Sequence, residues 1–239
     1  IINRHQFTFL RKSKAFKTIE NFLSIHSFYQ KTQMIAFSLF SLVFCASDPE
    51  PWGPLPTKDQ ARYHHEEFSA FIHWGMNTFT GVEWGSGNED PNLFRPTKMD
   101  TDQWISTLKE AGFKRVLMIG RHHDGFCLWK TKYSDHQVNE SKDFQTISAI
   151  LHQSGDVIEE ISKSCTKYDM DMGFYLSPWD VNSSYYGDEV LYNEYYMNQL
   201  TEILGDKKYG NNGRFVEVWM DGAKGTGQKD QKYWFTKWF

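Results

Sequence analysis

With 239 residues, the chain is long enough for one good-sized domain with a real hydrophobic core. Its net charge is −4 and no segment joins dense Lys/Arg to a nucleic-acid motif, which excludes a DNA or RNA footprint. Three cysteines (Cys45, Cys127, Cys165) with no CxxC pair exclude a disulfide scaffold and a zinc module. One Cys127–Cys165 bridge is an option, and two buried free thiols are preferred. Aromatic residues make up 17% of the chain. That fraction fits an aromatic-lined cleft for the apolar face of a sugar, and equally a core that favours aromatics, so composition does not choose between them.

The chain opens on Ile1 and closes on Phe239 inside an aromatic, helix-like run with Tyr233, Trp234 and Trp238. Both ends predict a fragment. Residues 1–33 are set aside as leader or mistranslated upstream sequence. Met34 to Ala46 (MIAFSLFSLVFCA) is too short to span a bilayer and has the length of a signal-peptide core. Lys31 supplies a basic flank, and Cys45-Ala46-Ser47 the small residues for cleavage. Residues 34–47 are therefore expected to be a signal peptide, which places the mature protein outside the cytoplasm without stable membrane insertion. The rivals are a buried helix and a lipoprotein signal with lipidated Cys45, which Phe44 fits poorly.

From about Arg62 the pattern is regular. Phe68–Trp74 predicts a strand. Asp100 or Thr101 caps a helix with Trp104, Ile105, Leu108 and Ala111 on one face, and Gly112 stops it. Arg115–Gly120 predicts a buried strand. Asp156 caps a second helix, with Glu159 placed as in a capping box and Val157, Ile158, Ile161, Cys165 and Tyr168 as its stripe. Lys163 and Lys167 sit toward its end, where the helix dipole favours cations. Met172–Leu176 predicts a third strand. Leu191, Tyr192, Tyr195, Tyr196, Leu200, Ile203 and Leu204 mark a third helix ending at Gly205, and Arg214–Met220 a fourth strand.

Such alternation predicts an α/β fold with a parallel sheet, either doubly wound or a (β/α)8 barrel. No GxGxxG or Walker loop follows the first strand, which weakens a nucleotide-binding reading. The polar residues gather after the strands: His73, then His122-His123-Asp124, then Trp179-Asp180, then Asp221. A barrel builds its active site there, so the N-terminal, truncated portion of a (β/α)8 barrel is the preferred architecture.

Each candidate has a plain alternative. Asp221, directly after a strand, suits a nucleophile, or a turn Asp before Gly222. His122 and His123 suit paired hydroxyl binding, a metal site with Asp124, or two loop histidines. Adjacent residues on an extended chain point opposite ways, which argues against two ligands to one ion. Glu83-Trp84 follows the first strand, and Trp179 suits stacking on a sugar. Glu217 shares a face with Asp221, but residues four apart on a strand are roughly 13 Å apart. A retaining glycosidase needs its carboxyls at about 5–5.5 Å. No single strand end is decisive; four carrying His, Trp or Asp in alignment have no core-only explanation.

The motifs Phe-Ile-His-Trp-Gly (71–75), Glu-Trp-Gly (83–85), His-His-Asp-Gly-Phe (122–126), Tyr-Leu-Ser-Pro-Trp-Asp (175–180) and Val-Trp-Met-Asp-Gly-Ala (218–223) follow one another in this order. As a set they resemble the family 29 α-L-fucosidases over about residues 50–239, most closely the plant and bacterial branch acting on α-1,3 and α-1,4 linked fucose. The resemblance implies a (β/α)8-like catalytic domain, of which 48–239 is the N-terminal part, followed by a β-sandwich. It implies a retaining mechanism with neither metal nor cofactor, acting on a fucosylated oligosaccharide or glycoprotein. It makes Asp221 the nucleophile, has His73, His122 and His123 bind fucose hydroxyls, and places Glu83, Trp84 and Trp179 in the pocket, with Asp180 and Trp219 in the surrounding shell. The acid/base carboxylate is expected beyond the chain end, so the fragment alone is expected to be inactive. A fucose-binding lectin and a metal-dependent hydrolase using His122, His123 and Asp124 are the alternative readings.

Overall fold

The computed structural model describes Glu50, residues 52–222, Lys224 and residues 227–238. The leader, the segment 34–47 and Cys45 lie outside the described residues. The chain divides into a unit ending at Thr57 and a unit from Lys58 to Phe239, and every element below belongs to the second.

Four parallel strands form one sheet in the order β1 (Ser69–Ile72), β2 (Arg115–Arg121), β3 (Asp171–Leu176), β4 (Glu217–Trp219). Each of β2, β3 and β4 pairs with its predecessor: Ala70 opposite Val116, Val116 opposite Met172, Gly173 opposite Glu217. A doubly wound sheet reverses direction at a switch point. No reversal occurs among these strands, which agrees with the barrel portion preferred above. β2 is buried along its whole length, as an apolar strand covered on both faces should be.

The crossovers carry helices. The expected helix after β1 is α3 (Thr101–Glu110). It is capped by Asp100, whose carboxylate accepts from the Gln103 N–H at 2.9 Å, and closed by Gly112 at φ +91°. α5 (Val157–Tyr168) begins at Asp156, which accepts from the Glu159 N–H at 2.9 Å. The reciprocal half of the predicted capping box is absent. The Asp156 N–H instead donates to Ser154 Oγ, and Glu159 pairs with Lys163 at 2.7 Å. α6 (Glu189–Gly205) buries Tyr192, Tyr195, Tyr196, Leu200 and Ile203. Leu191 and Leu204, expected on the same stripe, are exposed.

Three further helices, α1 (Lys58–Glu66), α2 (Met76–Thr80) and α4 (Lys142–Ile150), were not expected, and α7 (Phe235–Trp238) realises the aromatic run near the end. α1 buries none of its residues, so no apolar period announced it. The outer strands are shorter than the apolar runs predict. At β4, Arg214 and Asn211 exchange both backbone hydrogen bonds, so the chain is still turning there, and the ladder starts when the Val216 N–H donates to the Met172 carbonyl.

The aromatics are shared between core and site. Phe94, Phe126, Trp129, Phe144 and Phe174 are among the core residues. A Cβ on Gly120 would lie 2.2 Å from the Phe174 ring, so only glycine lets β2 and β3 approach here. Cys127 and Cys165 are buried free thiols.

Candidate active site

The carboxyl ends of the four strands bring one group of side chains together. At the end of β2 the chain leaves the extended conformation, and the Gly125 N–H donates to the His122 carbonyl at 3.1 Å in a tight turn. This turn overturns the expectation that His122 and His123 point apart: their ring centroids are 4.1 Å from each other. Gly125 has φ +79°, and a Cβ there would lie 2.4 Å from Asp180 Oδ1, so the turn needs glycine twice over.

His73, from the end of β1, meets His122 edge to face at 4.5 Å. Trp179 lies 4.8 Å from His123, and Trp84 closes on both, 6.0 Å from His123 and 5.5 Å from Trp179. Asp221 sits after β4. Its Oδ2 accepts from the Tyr175 hydroxyl at 2.9 Å and lies 3.6 Å from His123 Nε2. The predicted residues His73, Trp84, His122, His123, Trp179 and Asp221 therefore form one site. Glu83 is exposed, and its charge acts on His73. The loop carrying Glu83 and Trp84 is tied down by Glu89, whose carboxylate accepts from the Ser86 and Gly87 N–H groups at 2.5 and 2.9 Å.

Asp180, expected in the surrounding shell, and Asp124, a ligand in the metal reading, both stand behind the pocket. Asp180 is fully buried, pairs with Arg121 at 3.0 Å, and accepts from the Tyr195 hydroxyl and the Asn182 and Ser183 N–H groups. It holds the loop rather than lining the pocket. Asp124, placed with the histidines in the metal reading, turns inward and accepts from the Phe126 N–H at 2.8 Å. Trp219 is half exposed and lies against Phe71, with centroids 5.7 Å apart. Glu217 pairs with Arg115 at 3.3 Å, at the start of β4 rather than beside Asp221.

Sequence reasoning missed Tyr175, Ser177, Arg121 and Glu89. Tyr175 and Ser177 lie inside the quoted 175–180 motif, two apart and so on one side of an extended chain, which was a usable signal. Glu89 carried none.

Burial, reinforced by the neighbouring imidazoles, pulls His122 down to about 3. Burial also lowers His123 to about 4, against the opposing pull of Asp221. His73 is lowered by burial too, with Glu83 and Asp221 opposing. At neutral pH both His122 and His123 are uncharged, and an uncharged imidazole offers one donor and one acceptor, which suits neutral hydroxyls. Asp124 moves the other way, to about 7, chiefly through burial. Among the described residues, His122, His123 and Asp221 also bring ligand atoms within 4.8 Å of one another, a donor set that a divalent metal accepts.

A parallel sheet of βα units with imidazoles, indoles and a carboxylate at its strand ends belongs to the β/α-barrel class, which builds its sites at that end of the sheet. The family model described as Alpha-L-fucosidase matches residues 88–238. The chain belongs to the α-L-fucosidase family. It is 41% identical over 191 residues to alpha-L-fucosidase 1 of Arabidopsis thaliana, covering 80% of this chain and 35% of the relative. A putative alpha-L-fucosidase 1 of rice, Oryza sativa subsp. japonica, is also 41% identical, with 80% of this chain and 34% of the relative covered. Among solved structures, a Ruminococcus gnavus GH29 fucosidase in complex with fucose superimposes with a TM-score of 0.69 at 43% identity, over 80% of this chain and 41% of that one. The chain thus spans about a third of the length of the curated relatives it matches.

Proposed function

We propose that the full-length protein is a secreted, exo-acting, retaining α-L-fucosidase that releases terminal α-1,3- or α-1,4-linked fucose from glycans or glycoproteins. The observation that carries the reading is Asp221: a carboxylate at a strand end, held by the Tyr175 hydroxyl and walled by His73, His122, His123, Trp84 and Trp179. Uncharged imidazoles suit the hydroxyl face of a sugar, and indoles its apolar face.

In this mechanism Asp221 attacks the anomeric carbon as the glycosidic C–O bond breaks. The leaving oxygen takes a proton from a second carboxylic acid. Water, deprotonated by that same group, then displaces Asp221 and frees the sugar with its configuration retained. The tie of Glu217 to Arg115 argues against Glu217 as the second carboxyl. The linkage rests on the motif forms at 175–180 and 218–223, and secretion on the segment 34–47.

The test is to incubate the full-length protein with a fluorinated fucosyl fluoride, which needs no acid assistance to lose fluoride, and to map the modified peptide. A fucosyl adduct on Asp221 is expected. A folded protein that binds fucose yet takes no adduct would instead be a binding protein. Activity lost on chelation and restored by a divalent ion would point to the His122–His123–Asp221 donor set as a metal centre.

A further inference from the structure

Ser177 stands behind the site, at the end of β3, and its hydroxyl is fully buried among partners. Ser177 Oγ lies 2.6 Å from His123 Nδ1, 2.7 Å from the Trp179 carbonyl and 3.1 Å from the Trp179 N–H. A hydroxyl has one hydrogen and accepts two. The Trp179 carbonyl can only accept, so the Ser177 hydrogen belongs there; withholding it would press two oxygen lone pairs together at 2.7 Å. The Trp179 N–H can only donate, which fills one acceptor position. The remaining position faces His123 Nδ1, and only an Nδ1–H satisfies it. The nearby Tyr175 hydroxyl does not compete, because its own proton lies on Asp221 at 2.9 Å.

We propose that Ser177 is a positioning residue that fixes His123 as the Nδ1–H tautomer. Nε2 is then a bare acceptor facing Asp221 Oδ2 at 3.6 Å, and it takes the hydrogen of a ligand hydroxyl. A bare nitrogen beside a carboxylate oxygen suits a ligand group that donates. The ring carries a single proton near neutral pH, so one nitrogen must be bare, and the Ser177 contact decides which. Arg121 fixes the backbone of the arrangement, donating from Nη2 to the Ser177 carbonyl at 2.5 Å while pairing with Asp180. The identity of the donor as a fucose hydroxyl rests on the functional reading above; the tautomer does not.

Nitrogen-15 NMR on the full-length, histidine-labelled protein tests the tautomer, with His123→Gln used only to assign the signals. In the wild type, Nδ1 of His123 should show as the protonated nitrogen and Nε2 as the bare one. The reverse pattern would overturn the proposal whatever the ligand proves to be. Ser177→Ala should move His123 toward the Nε2–H form, which imidazoles favour when unconstrained, and raise KM about tenfold, the scale of one lost hydrogen bond. Ser177→Thr keeps the hydroxyl and should restore both readouts; failure to restore them counts against a role for the hydroxyl. Fucose analogues with one ring hydroxyl at a time replaced by fluorine, which accepts but does not donate, should identify one position whose loss weakens binding about tenfold. If fucose binds and no position matters, the hydroxyl assignment fails. If fucose itself does not bind while His123 is Nδ1–H, the functional reading fails and the tautomer stands.

Discussion

The guanidinium of Arg121 and the carboxylate of Asp180 meet at 3.0 Å with no exposure to solvent, joining the last residue of β2 to the loop that follows β3. Arg121 also donates to the Tyr195 hydroxyl at 2.9 Å and to Gln199 Oε1 at 2.5 Å, so the pair is anchored on α6. Neither residue reaches the pocket, yet the turns carrying His122, His123 and Trp179 start from them. Asp180→Ala would leave a buried cation with its main counter-charge removed. We expect a loss of about 3–5 kcal/mol, the usual cost of breaking a buried pair from one side. Denaturant unfolding would measure it, and a loss below 1 kcal/mol would show that the pair is not needed for stability.

Tyr175→Phe removes one hydroxyl from beneath Asp221 and leaves the ring stacked at 5.8 Å from His122. The carboxylate then loses a fixed donor, so kcat/KM of the full-length protein on a fucoside should fall about tenfold while the melting temperature changes little. Equal losses of stability and activity would mean that the hydroxyl serves the fold.

Gly120→Ala places a methyl 2.2 Å from the Phe174 ring. Overpacking of this kind costs about 1–3 kcal/mol. Phe174→Leu makes room, so the double variant should recover part of what Gly120→Ala loses. Strict additivity of the two single effects would contradict a direct clash.

The buried titratable groups pull stability in opposite directions as pH falls. In the unfolded chain each imidazole protonates near 6.5, whereas in the folded protein His123 waits until about 4 and His122 until about 3. Between those values the unfolded state holds more protons, so acidification from 6.5 toward 4 destabilises the fold. Asp124 does the reverse. Its folded value is near 7 and its unfolded value 3.8, so the folded state holds the extra proton across that window, and acidification favours folding. Asp124→Asn should therefore steepen the acid loss of stability, and His123→Gln should flatten it. Urea midpoints taken from about pH 7 down to about pH 4 would show both slopes.

Burial pushes the Cys165 thiol up to about 12 and Cys127 further still. Both should resist alkylation in the native protein and react only after denaturation. A Cys127–Cys165 linked peptide on non-reducing mapping would refute the free-thiol assignment.

The features legible in the sequence were those with a local signature. β2 and β3 are apolar runs, and the Asp100 and Asp156 caps precede periodic stripes. Most site residues could be named because strand ends place them, with Glu83 and Trp84 in the loop after β1, and because the five motifs together resemble one family. What was not legible depends on distant partners. The sequence put Asp180 in the shell of the site but could not name its counter-charge, because Arg121 is 59 positions away in the chain. The His122–His123 geometry was misjudged because the pair was read as extended chain although it lies beyond the strand, in a turn closed by the Gly125 N–H on the His122 carbonyl. Glu89 looks like an ordinary loop acid, and only the folded loop shows its carboxylate replacing the missing ladder for Ser86 and Gly87.

The strand order has a consequence for how the molecule comes into being. β2, β3 and β4 each pair with the strand synthesised just before them. From β2 to β4 a nascent chain therefore finds its next template already present, and this part of the sheet grows from one edge. Assembly of this kind suits folding during translation, when the amino-terminal part must organise first.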